Sequence, residues 1–156
     1  MEVVEVNCNN NTAPLVGSSA ASSCNNGCFP KDINVICRKI IIPYGQETLA
    51  IEGDENSSSR TFVIPNTTED GIDLTQKKFN ILLENANKKQ WKIAISDKDK
   101  ETEENYTKIK WNIGADVTSV AGILKVSLEA EGENFKWQTY SENFYIAPSV
   151  YIENKK

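Results

Sequence analysis

The chain has 156 residues and a mass of 17.4 kDa, enough for one domain with a buried core and too little for two of ordinary size. Its formal net charge is −5 and its pI about 4.9, so phosphate backbones and anionic bilayers repel it, which argues against nucleic acid and membrane as partners. There is no histidine, which removes the usual base for a serine or cysteine nucleophile and the commonest nitrogen ligand of a metal.

The opening MEVVEV carries two glutamates where a secretion signal needs basic residues, and no apolar run follows it, so synthesis into the cytosol is expected. The next stretch, NCNNNTAPLVGSSAASSCNNGCFP, is rich in Asn, Ser and Gly, free of charged residues and poor in large apolar ones. Residues 1–37 therefore read as an extended arm, and Ala13, Pro14, Leu15 and Val16 are its candidate partner-binding contacts. All four cysteines, Cys8, Cys24, Cys28 and Cys37, fall in this arm. Structural zinc sites usually show two close pairs, and only Cys24 and Cys28 are close, so the four are weak metal candidates beside disulfides or small packing thiols.

From residue 32 onward the pattern becomes short runs with period-two alternation: INVICRKIII from 33, TLAIE from 48 and TFVI from 61. Phe79, Ile81 and Leu83 follow, then Trp91, Ile93 and Ile95, then Ile109, Trp111 and Ile113. The clearest run is ILKVSLEA at 123–130, with Leu124, Val126 and Leu128 on one face; NFKWQTY from 134 and NFYIA from 143 complete the series. Turn formers separate the runs, among them Gly53-Asp54, Pro65-Asn66, Asp70-Gly71 and Glu131-Gly132-Glu133-Asn134.

This pattern predicts an all-β fold: an antiparallel two-sheet β-sandwich of Ig-like kind over 38–150, preceded by the arm and followed by a short tail, 151–156. Trp91, Trp111 and Trp137 are in phase with apolar neighbours and are assigned to the core. Tyr106 and Tyr145 fall in the outward phase and are candidate surface contacts.

No phosphate-binding glycine motif occurs, and an all-strand chain lacks the helix N-terminus such motifs use. Asp97-Lys98-Asp99 does not continue as a calcium loop, because Thr102 stands where that loop needs glycine and Lys108 where it needs glutamate. The carboxylates lie mostly in turns and on wet faces, where solubility explains them. The expectation is a non-enzymatic protein without a cofactor.

Three segments, RKIIIPYGQETLAIEGDENSSSRTFVIP, EDGIDLTQKKFNILLENANKKQW and IKWNIGADVTSVAGILKVSLEA, together resemble the N-terminal domain of phage baseplate upper proteins of the BppU type, as found in clostridial phages and prophages. The resemblance covers residues 38–148. Its most specific parts are Asp70-Gly71-Ile72-Asp73-Leu74, the Asn85-Ala86-Asn87 turn, and Trp111 with Ala121-Gly122 opening the next strand.

The resemblance implies a virion β-sandwich that docks onto the tail baseplate as an adaptor, contacting other virion proteins and forming a homo-oligomer within a symmetric assembly. Family members commonly continue into a fibre or receptor-binding region, whereas this sequence stops at Lys156, and the cysteine-bearing lead-in is not part of the pattern. A capsid decoration protein, and an adhesion module for host surface glycans, are the alternative expectations.

Overall fold

The computed structural model describes residues 32–150. Within them two mixed sheets pack face to face as an all-β sandwich. The first sheet has the order β2 (Lys39–Ile41), β1 (Asp32–Ile36), β4 (Ser59–Pro65), β8 (Tyr106–Asn112) and β7 (Lys100–Thr102). The second runs β3 (Thr48–Ile51), β11 (Glu142–Ala147), β9 (Gly122–Gly132), β5 (Lys78–Glu84) and β6 (Gln90–Ala94), with β10 (Phe135–Gln138) pairing the far half of β9.

Alternation builds the core. Phe62 and Ile64 of β4, Ile109 and Trp111 of β8, and Leu124, Val126 and Leu128 of β9 are all almost fully buried. Trp111 lies nearly parallel to Phe62 at 6.0 Å between ring centroids and meets Phe144 edge-on at 6.3 Å, the offset and T-shaped arrangements that the ring quadrupole favours. Two cations tie the sheets together. The Arg60 guanidinium donates to Thr48 O of the facing sheet at 2.9 Å, and Lys100 Nζ donates to the carbonyls of Thr75 and Lys77, which lead into β5. Arg60 is buried without a carboxylate partner, and burial lowers its pKa; a guanidinium nonetheless stays charged.

Two expectations are corrected. Pairing is not antiparallel throughout: β1 runs parallel to β4, and β3 parallel to β11. Each parallel pair joins strands far apart in sequence, and alternation within a single strand carries no record of its neighbour's direction. The body also begins earlier than residue 38. Residues 32–36, assigned to the arm, form β1, and Ile33 and Val35 are buried; their period-two burial prevails over the low-complexity composition just before them.

The run 33–42 is broken by a two-residue turn, Cys37-Arg38, because Ile36 pairs with Lys39. Both turn residues have positive φ, 52° and 69°, the requirement of a type I′ hairpin, which ordinarily selects Asn-Gly. Arg38 is held there by its contacts. Its carbonyl accepts from Tyr140 N, its Nη1 donates to Gln138 O at 3.1 Å, its guanidinium lies 5.5 Å from the Trp137 ring centroid, and Glu69 is 3.7 Å from its Nε.

The register places both ends of the described chain at one pole. Asp32 pairs with Thr61 near the start of β4, Ile146 pairs with Gly122 at the start of β9, and Ala147 O accepts from Glu52 N in the β3–β4 connection. This proximal pole also carries the short helix α1 (Ala115–Thr118). The distal pole carries the Cys37-Arg38 turn, the turn between β7 and β8, and the Glu133-Asn134 turn between β9 and β10.

Candidate interaction face

The outer face of the second sheet is where unusual side chains gather. Nearest the distal pole it is polar. Asn80 donates through Nδ2 to Glu129 Oε1 at 2.7 Å and to Glu131 Oε2 at 2.8 Å, while Lys92 Nζ lies 3.1 Å from Glu129 Oε1 and Lys136 Nζ 3.5 Å from Glu129 Oε2. Glu129 is only 2% exposed. Burial, the largest influence, pushes its carboxyl up, but the hydrogen bonds from Asn80 and Lys92 and the charges of Lys92 and Lys136 together bring it below the usual glutamate value.

In the middle of the face a shallow groove of about 580 Å³ is lined by Leu82, Glu84, Gln90, Trp91, Lys92, Lys125, Ser127 and two neighbours. Trp91 lies on the core side as expected, opposite buried Leu83, but is only half-buried because its strand is the sheet edge; its Nε1 donates to Asp116 Oδ2 of α1 at 3.0 Å. Trp111 and Trp137 are buried as expected.

Nearest the proximal pole the face turns apolar. Ile123 of β9 lies directly opposite Tyr145 of β11, and Ala147 of β11 directly opposite Ile51 of β3. Ile51, Ile123 and Tyr145 are 48%, 48% and 39% exposed, a contiguous patch across three strands. Ile51 reaches it through a β-bulge. The register shifts between Tyr145 and Ile146, leaving Leu49 and Ala50 buried in succession and turning Ile51 outward. A regular strand would have pointed Leu49 and Ile51 the same way.

Of the residues selected from sequence, Tyr145 belongs to this patch, while Tyr106 sits half-buried at the start of β8 on the other sheet near the distal pole. The two are not brought together. Ala13, Pro14, Leu15 and Val16, with Cys8, Cys24 and Cys28, lie outside the described residues. Cys37 is disulfide-bonded, and in that state its sulfur offers no thiolate to a metal. Among the described residues no group of three His, Cys, Asp or Glu is placed to hold a metal ion, and no helix is long and apolar enough to cross a membrane.

Ile51 and Ile123 were missed in the sequence. Ile123 carried a signal, being out of phase with Leu124, Val126 and Leu128; Ile51 carried none, since the bulge that exposes it has no mark in TLAIE. In comparisons with known proteins, the chain matches no family model and no curated sequence.

Proposed function

We propose that this chain is a non-enzymatic phage virion structural protein, a β-sandwich attached to the particle through its N-terminal arm, as a tail baseplate component or adaptor. The observation that carries the reading is the placement of residue 32 and residues 147–150 at the same pole. An arm and tail that both leave from one pole favour attachment by that pole, with the distal Glu133-Asn134 turn facing outward for display. The resemblance of residues 38–148 to baseplate upper proteins supports the same assignment.

The test is deletion of residues 1–31. All strands of the described sandwich lie from β1 onward, so the shortened protein is expected to stay folded and soluble and to be lost from particles; normal occupancy of the truncated protein would refute arm-borne attachment. Immunogold labelling of particles carrying the full chain decides between tail tip and head, where a capsid decoration protein would be found.

A second reading, a glycan-binding adhesion module, is favoured by the groove beside Trp91, where Gln90, Lys92, Lys125 and Ser127 offer hydrogen-bonding groups. A glycan array probed with the full chain, and again with Lys125→Ala and Gln90→Ala, tests it: binding that these substitutions abolish supports it, and a blank array removes it.

A further inference from the structure

The apolar patch is built at some expense to local regularity, and the edge beside it is closed. On β3, the edge strand, Thr48 O accepts from Arg60, Leu49 O accepts from Ser58 Oγ at 3.0 Å, and Ile51 N donates to Asp54 Oδ2 at 3.0 Å. A partner strand adding to this edge meets main-chain groups already engaged, so a ligand here must lie on the face rather than extend the sheet.

We infer that the patch of Ile51, Ile123, Tyr145 and Ala147 seats Ala13–Val16 of a second copy of this chain, so that arms link successive copies head to tail. The inference rests on the arm-attachment reading and names its partner. The patch spans three strands, about 10 Å at the usual strand spacing, and an extended tetrapeptide covers about 13 Å. Residues 7–30 contain no charged side chain, so the segment meets the Lys125 and Glu84 rim of the patch without like-charge repulsion. Pro14 favours an extended backbone at its own position and the one before it, which reduces the entropy lost on docking.

Reach also agrees. The segment from Val16 to Asp32 can span up to about 55 Å, and with Cys37 bridged to an arm cysteine Val16 still stands at least eight residues from that bridge, about 27 Å of chain with which to meet a neighbouring copy. A contact between an arm on one copy and a patch on the next is heterologous, and such contacts build rings or open filaments.

Sedimentation of the full chain from about 10 µM to about 1 mM, a range that detects weak association, tests this with two variants, Leu15→Glu and Ile123→Glu. Ile123 is 48% exposed, and unchanged melting transitions of both variants verify the fold. The expected result is concentration-dependent association of the native chain, at least tenfold weaker for each variant alone. An equimolar mixture should recover a dimer that grows no further, because the Leu15→Glu copy keeps its patch and the Ile123→Glu copy keeps its arm.

A native chain that stays monomeric throughout overturns the inference. So does unchanged self-association of Leu15→Glu, which would indicate patch-to-patch contact, and so does a mixture that remains monomeric. If deletion of residues 1–31 removes the protein from particles while Ile123→Glu is incorporated normally, arm attachment stands and this docking site falls.

Discussion

At Glu129 a carboxylate is almost shut off from solvent on the outside of a sheet, a position where alternation alone predicts a wet side chain. It follows Leu128 in the outward phase of ILKVSLEA, and nothing along that strand announces its burial. The cover comes from β5, β6 and β10, which bring Asn80, Lys92 and Lys136 over it, and a single strand's pattern cannot encode which neighbours its outer face will meet. Because the folded carboxyl titrates below its ordinary value of 4.5, its ionised form stabilises the fold above that value, and the contribution is lost as pH falls through the lowered one. Glu129→Gln should cost about 1–3 kcal/mol at neutral pH, since it removes the charge shared by Lys92 and Lys136 and turns one acceptor oxygen into an NH2 donor among the donors of Asn80, Lys92 and Lys136. The same variant should lose less stability than the native chain between about pH 6 and about pH 3. Urea unfolding across that range measures both, and an unchanged slope with pH would show that Glu129 is not the group responsible.

Among the elements, the most informative are those that break the alternation. The strands of the core were legible because Phe79, Ile81, Leu83, Ile109, Trp111, Leu124, Val126 and Leu128 keep period two from end to end. The β1–β2 turn was not, because Cys37-Arg38 lacks the Asn, Asp or Gly that marks a tight hairpin; tertiary contacts of Arg38 maintain a backbone that its own residue type disfavours. That division can be measured at one position. Arg38→Ala removes the contacts to Gln138, Trp137 and Glu69 and keeps a Cβ at φ 69°, whereas Arg38→Gly removes the same contacts and relieves the backbone. Both should destabilise, and the alanine variant should be the less stable by about 1 kcal/mol. Thermal unfolding of the pair reads the difference, and equal stability would mean that the turn does not require the left-handed conformation.

For the whole molecule, alternation predicted a sandwich but could not assign strands to sheets, and the two parallel pairings, β1 with β4 and β3 with β11, arise from long connections that leave no local pattern. Those pairings nevertheless set the polarity on which the functional reading depends, since they bring residue 32 and Ala147 to the same pole and send the Glu133-Asn134 turn to the other. Glu133 and Asn134 are exposed, and an exposed hairpin tip tolerates insertion because its residues contribute little to the core. A short epitope inserted between them should leave incorporation into particles unchanged and should be bound by antibody on intact virions. The same epitope placed after Val150, at the proximal pole, should on the proposed attachment reduce incorporation or be hidden from antibody until particles are disrupted. Electron microscopy with labelled antibody distinguishes the two poles. If both insertions are equally accessible, the proposal that the arm holds the body by its proximal pole fails.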